Sequence, residues 1–177
     1  VNKANKASIE SATSMDLHSI QTLFDESNAE LQKSGIFQWD ENYPNLTYFK
    51  EKIEAKELYV LKREERVLGA VVLNEWESPE WERVDWRSKK GSNLILHTFC
   101  IHPEAQGKGY GGKILQFAEE TALKQGYAGI RLDTFSKNRN ALGFYEKKGY
   151  VKVGKIIFES KPVNNQLYFC FDKIFAD

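Results

Sequence analysis

The segment Gln106-Gly107-Lys108-Gly109-Tyr110-Gly111-Gly112 constrains this chain more than any other. It follows an apolar run over 94–101, stopped by Pro103, and opens a stretch over 110–124. In that stretch Ile114, Leu115, Phe117, Ala118 and Leu123 recur at helical spacing. The order is therefore strand, glycine-rich turn, helix. Glycine takes dihedrals that a side chain forbids and lets a ligand approach the main chain. The first amides of a helix have no intrahelical acceptor and carry the positive end of its dipole. Together they make an anion site, most naturally for phosphate. A ligand-free glycine turn is the plainer alternative, against which four glycines within six positions count.

The rest of the chain supplies a sheet for that turn to sit on. A short strand is expected over 9–12, then a helix with Leu17, Ile20, Leu23, Phe24 and Leu31 inward, ended by Gly35. An aromatic-rich loop covers 36–44, and Asn45 caps a helix with Leu46, Phe49 and Ile53 inward. Alternating runs over 57–62 and 67–73 flank the polar turn at 63–66 and make a hairpin. A long polar connection over 74–92 leads to the strand before the glycines. After the glycine-opened helix come a strand over 128–134, a helix over 138–147, and strands over 151–158 and 166–175. Strand-helix-strand over 94–134 requires a parallel crossover, while the neighbouring strands favour antiparallel pairing. The expected class is α/β (α+β): a mixed, mostly antiparallel sheet of about seven strands with flanking helices. Residues 8–177 are expected to form one domain behind a flexible lead at 1–7.

Three phosphate-binding patterns compete for the glycines. A Walker loop needs Lys-Ser/Thr at its end, but Gly112-Lys113 is followed by Ile114. Gly107, Gly109 and Gly112 meet the dinucleotide spacing, and Asp133 lies where that fingerprint expects an acid. However, His102-Pro103-Glu104-Ala105-Gln106 separates strand from glycine. The third pattern fits best. Residues 96–112 resemble motif A of the GCN5-related N-acetyltransferase (GNAT) superfamily, Q/R-x-x-G-x-G/A, as Gln106 to Gly111. A second block, Asn138-Arg139-Asn140-Ala141-Leu142-Gly143-Phe144-Tyr145-Glu146-Lys147-Lys148-Gly149-Tyr150, resembles the family's N-x-x-A-x-x-x-Y-E-x-x-G-F/Y. The element order is similar to the family fold from Ile9 to Phe175.

The resemblance implies an acyltransferase that moves an acetyl group from acetyl-CoA to a primary amine by direct attack in a ternary complex. It places the pyrophosphate on the amides of Gly107, Lys108, Gly109, Tyr110, Gly111 and Gly112, beside Gln106. It runs the pantetheine arm along Phe99, Cys100 and Ile101, whose backbone groups can pair as an added strand does. A backbone N–H there can polarise the thioester oxygen. Tyr145 matches the tyrosine near the thioester sulfur, a proton donor to the leaving thiolate. Asn138 matches an asparagine on the cofactor arm and is equally a helix cap. Arg139 and Lys108 are candidates for phosphate contact, or are solvated cations. Two groups compete as general base. His97, on the strand before the loop, titrates in the useful range, and a histidine there serves the similar arylalkylamine acetyltransferases. Glu75 ends an earlier strand. Cys100 has no evident His or Asp partner set and is not read as a nucleophile.

Composition bounds the partners. The 25 Lys and Arg balance 25 Asp and Glu, which argues against a dedicated nucleic-acid binder. The balance hides two local biases: eight bases against five acids over 101–149, and two against five over 74–87. The basic part suits an anionic co-substrate. The acidic part holds Trp76, Trp81 and Trp86, and acid with aromatic suits a cationic amine. A solvated hairpin whose tryptophans cover a sheet edge or a dimer contact fits as well. Trp39, Tyr43, Glu75 and Trp76 are the candidate contacts to a small-molecule or peptide acceptor. Cys100 and Cys170 have no metal-ligand spacing, and two cysteines suit a reduced, cytoplasmic protein. No metal and no membrane partner is expected. An exposed final strand over 166–175 would make a homodimer easy. The alternatives to acetyl transfer are an NAD(P)-dependent oxidoreductase on the same glycines and a non-catalytic acyl-CoA-binding module.

Overall fold

Caps and breakers set the element ends. In the computed structural model, which describes residues 6–175, Gly35, Gly126 and Gly149 take positive φ just past three helices. Asn45 and Asn138 cap the starts of two helices, each side chain accepting a main-chain N–H three residues on. The elements are β1 (Ser8–Ser11), α1 (Leu17–Lys33), α2 (Leu46–Glu54), β2 (Leu58–Arg63), β3 (Arg66–Asn74), β4 (Asn93–Ile101), α3 (Tyr110–Lys124), β5 (Gly129–Phe135), α4 (Arg139–Lys147), β6 (Val151–Ile157) and β7 (Leu167–Ile174). The seven strands form one mixed sheet in the order β1-β2-β3-β4-β5-β7-β6. Pairs β1–β2, β2–β3, β5–β7 and β6–β7 are antiparallel, and β4–β5 is parallel. This is the fold class expected. Of the lead expected over 1–7, residues 1–5 lie outside the described residues.

The chain divides into two compact units, Val1–Leu73 with Thr98–Phe117, and Asn74–His97 with Ala118–Asp177. In the first, Ile20, Leu23 and Phe24 of α1 and Phe49 of α2 pack with Leu58, Val60, Val67, Ala70 and Val72 of the hairpin and with Cys100. Gly69 on β3 permits a close approach: an added Cβ would stand 2.7 Å from Ile101 Cδ1 and 2.8 Å from Ile114 Cδ1. The His102 N–H donates to the Leu68 carbonyl at 2.8 Å, which holds the end of β4 in place. Two ionic clusters tie down the margins of this unit. Lys62 Nζ reaches Glu10 at 3.0 Å and Asp16 at 2.8 Å. Burial alone would raise the Asp16 carboxyl, but the Lys62 ammonium and the Thr13 amide hold it below the usual carboxylate range. His102 is buried, bonded to Glu26 through Nε2 and accepting the Glu104 N–H at Nδ1.

In the second unit β5 pairs with β7 along Gly129–Phe135, and β7 pairs with β6 on its other side. The final strand is therefore interior. The expectation that it lies exposed for a dimer is corrected: β6 is the edge on this side. The connection over 74–92 also differs from a solvated hairpin. It contains a 3-10 turn at Pro79–Arg83, and Trp81 and Trp86 are buried with their rings 4.7 Å apart. Polar neighbours mask these two in sequence. Arg87 closes the segment on β7, its Nε 2.6 Å from Asp172 Oδ1 and its N–H on Oδ2 at 2.8 Å. Asp172 is 1% exposed, and Arg87 is the cation paired with it.

Candidate active site

The first unit carries the glycine loop. Gly107 and Gly109 have φ of +75° and +80°, the left-handed region that favours glycine, and no protein atom would meet an added Cβ at either. Helical bonding here begins with the Lys113 N–H on the Gly109 carbonyl, so the amides just before it precede the ladder. The loop is thus open on its outer side and lined by main-chain donors. Gln106 is exposed, and its Nε2 donates to the Ile101 carbonyl at 3.2 Å, linking loop to strand. Lys108 is exposed. Phe99 and Ile101 are half-buried and Cys100 is buried, where burial pushes its thiol up to about 12. A thiol held protonated is a poor nucleophile at neutral pH.

Just before these residues the backbone reverses. Thr98 has φ of +52° inside β4. For a β-branched residue this is an outlier, costing roughly 1–3 kcal/mol. Its Oγ1 is hydrogen-bonded to Tyr43 Oη at 2.6 Å and to Tyr48 Oη at 2.7 Å. Two neutral hydrogen bonds contribute about 1–3 kcal/mol together, enough to offset that cost. Tyr43 sits at the end of the aromatic loop and Tyr48 in the first turn of α2, their rings edge-on at 5.0 Å. Trp39 is half-buried with its ring 5.2 Å from Phe24. Thr98 and Tyr48 escape sequence reasoning: no residue type marks a threonine for positive φ.

The second unit carries the other candidate residues. His97 Nε2 lies 2.8 Å from Asn74 Oδ1; an amide oxygen only accepts, so Nε2 carries the proton and Nδ1 is the basic nitrogen. Trp76, 60% exposed, has its ring 5.9 Å from the imidazole. Glu75 is exposed and accepts the Tyr127 hydroxyl at 2.6 Å; that bond, then burial, pushes the phenol up to about 12. Glu77 pairs with Arg131 at 2.7 Å and Asp85 with Lys89 at 2.7 Å, so much of the acidic bias of 74–87 is neutralised locally. Asn138 caps α4 by accepting the Ala141 N–H at 3.1 Å, and Arg139 is exposed in its first turn. Tyr145 is buried, with Phe144, Tyr150 and Phe171 at ring distances of 5.5, 5.8 and 6.1 Å. Burial, and then the charge of Asp133, keeps its phenol above the ordinary range. Asp133 accepts the Trp81 indole N–H at 2.8 Å, and burial pushes its carboxyl up to about 6.

Known proteins agree with this architecture. The profile described as the Acetyltransferase (GNAT) family matches residues 18–150. The chain belongs to that family and is an acyltransferase. It is 27% identical over 129 residues to the S-(2-succino)cysteine N-acetyltransferase of Bacillus subtilis, covering 71% of this chain and 72% of that one. Over 60 residues it is 35% identical to the thialysine N-epsilon-acetyltransferase of Bos taurus, 34% of this chain and 35% of the bovine protein. A GNAT-family acetyltransferase of known structure from Streptococcus agalactiae superposes with a TM-score of 0.81 at 20% identity, over 97% of this chain and 96% of that one. That last likeness is one of fold. The dinucleotide reading of the glycines is thereby set aside: the chain is an acyltransferase, and its sheet is mostly antiparallel rather than doubly wound. Among the described residues no helix is long and apolar enough to cross a membrane.

Proposed function

We propose that this chain transfers an acetyl group from acetyl-CoA to a primary amine of a small molecule or peptide, by direct attack in a ternary complex. The observation that carries the proposal is the open glycine loop, with Gly107 and Gly109 at positive φ ahead of α3, in a chain of the acetyltransferase family. Acetyl-CoA supplies the acetyl group as a thioester. The amides from Gly107 to Gly112 hold its pyrophosphate, with Lys108 and Arg139 as supporting cations and Asn138 on the arm. Main-chain groups of Phe99, Cys100 and Ile101 pair with the pantetheine amides, and Gln106 fixes the loop against that strand. Tyr145, kept protonated by its surroundings, is the donor to the sulfur that leaves. A phenol raised above its usual range is a weaker acid, so its contribution is a hydrogen bond that strengthens as charge grows on sulfur.

The acceptor arrives as an ammonium and must lose a proton. His97 has its basic Nδ1 set by the bond from Nε2 to Asn74, and it is our choice of base. Glu75, already accepting from Tyr127, is the rival. Trp76, more than half exposed beside His97, and the carboxylate of Glu75 offer a cationic amine a ring face and a charge. Tyr43 and Trp39 are the candidate acceptor contacts of the other unit. Named relatives act on amino groups of amino-acid derivatives: S-(2-succino)cysteine in one case and thialysine in the other. An acceptor panel should therefore begin with amino acids and their thioether derivatives, then polyamines, arylalkylamines, aminoglycosides and peptide N-termini. Calorimetric titration with acetyl-CoA should show one site per chain. Absence of binding at millimolar acetyl-CoA would sink the proposal.

A further inference from the structure

We propose that Tyr43 and Tyr48 are positioning residues for acyl transfer: their hydroxyls hold Thr98 in the left-handed region, and that one reversal aims the peptide groups that follow it. The inference rests on the function proposed above, since it concerns the strand assigned there to the acyl donor. Threonine prefers extended backbone, and in the interior of a strand nothing in its own chemistry asks for φ of +52°. Such a conformation persists only where the surroundings over-determine it. Here the surroundings are two phenol hydroxyls on one Oγ1, at 2.6 Å and 2.7 Å. A threonine hydroxyl has one hydrogen, so at least one of the two tyrosines donates to it.

The clamp is itself built in advance. Asp40 Oδ1 accepts the N–H groups of Asn42 and Tyr43 at 2.8 Å and 3.2 Å, which fixes the turn carrying Tyr43. Asn45 Oδ1 accepts the Tyr48 N–H at 3.0 Å, and the Asn45 amide donates to the Asn42 carbonyl at 3.0 Å. One asparagine thus joins the turn to the first helical turn of α2, and both phenols meet the same oxygen.

The consequence falls on the next three residues. Cys100 is buried, whereas Phe99 and Ile101 are half-buried. Side chains along a strand alternate, so returning Thr98 to extended backbone exchanges the faces of everything beyond it until a fixed point is reached. The fixed point is close: the His102 N–H is bonded to the Leu68 carbonyl at 2.8 Å. The reversal at Thr98 therefore sets the direction of the peptide groups between these two anchors, the stretch from which an N–H would polarise the thioester oxygen.

The test separates backbone positioning from hydroxyl chemistry by two substitutions at one site. Thr98→Gly removes the hydroxyl but tolerates positive φ; Thr98→Val removes the hydroxyl, keeps the shape and disfavours positive φ. Steady-state acetyl transfer is measured for both with the acceptor that wild type uses, together with KM for acetyl-CoA. The expected result is kcat lowered about 10- to 100-fold in Thr98→Val and within about threefold of wild type in Thr98→Gly. KM for acetyl-CoA should change little in either. Equal losses in the two variants would mean the hydroxyl itself is needed, and no loss in either would mean the reversal is idle; each result overturns the inference. Should Thr98→Val fail to fold, the double variant Tyr43→Phe/Tyr48→Phe, with and without Thr98→Gly, gives the same comparison. The glycine must then rescue kcat, and failure to rescue overturns the inference. Failure of the underlying function is distinct, because wild type itself would then acetylate no amine.

Discussion

Tyr145 and Asp133 show how two titratable groups on neighbouring elements acquire opposite uses. Buried among aromatic rings, Tyr145 stays protonated, and removing its hydroxyl should remove one hydrogen bond to the departing sulfur without disturbing the donor's binding. Tyr145→Phe should lower kcat by about 100-fold while calorimetry finds acetyl-CoA bound as before; equal kcat would assign the tyrosine to packing alone. Asp133 leads to a pH prediction. Its carboxyl is raised from 3.8 to about 6 in the folded chain, so the folded state binds more protons than the unfolded one between those values. Stability contributed by this group is present at low pH and falls as pH rises through that window. Asp133→Asn, which keeps an acceptor for the Trp81 indole, should therefore gain on wild type by up to about 3 kcal/mol as pH rises from 4 to 7. Urea unfolding at the two pH values measures it, and a difference independent of pH would refute the burial argument. At this scale the sequence shows what residue type alone reveals. The glycines, Asn138 and Tyr145 stand out because few residues can do their work. Thr98 and Tyr48 do not, because their significance lies in a dihedral angle and in a partner about fifty positions away.

Among the elements, the helix ends, the hairpin and the parallel crossover were legible, and the place of the final strand was not. Gly35, Gly126, Gly149, Asn45 and Asn138 each mark a boundary by a local rule, and the structure ends its helices there. Strand order depends on contacts between distant segments, and nothing local in 166–175 says that β6 lies outside β7. The connection over 74–92 misled for a related reason: its acids suggest solvent, yet Trp81 and Trp86 turn inward and Arg87 anchors it to β7. Arg87→Ala would leave the nearly inaccessible Asp172 carboxylate without its cation. A loss of about 3–5 kcal/mol is expected in urea unfolding; a loss below 1 kcal/mol would show that solvent reaches Asp172 readily. The glycine loop makes the complementary case. Because no protein atom crowds Gly109, Gly109→Val should cost only about 1–2 kcal/mol of stability, from its positive φ. It should weaken acetyl-CoA binding by more than about tenfold, through the side chain's intrusion on the amides.

For the molecule as a whole, a formal charge of zero conceals a basic tract around the glycine loop and an acidic tract before β4. Part of the acidic tract is neutralised at home, by Arg131 and Lys89, while Glu75, Glu80, Glu82 and Trp76 stay exposed. Membership of the acetyltransferase family rests on a match from residue 18 to 150, and the fold on a superposition over nearly the whole chain. The acceptor is where these likenesses divide, since the named relatives modify different amines. The most direct measurement is to incubate the purified protein with acetyl-CoA and the amine panel, following free thiol and the mass of each amine. For at least one primary amine, one acetylated product per thiol released is expected, at a rate that Tyr145→Phe reduces. Thiol release that never exceeds the amine-free rate, with no amine gaining an acetyl group, would contradict it.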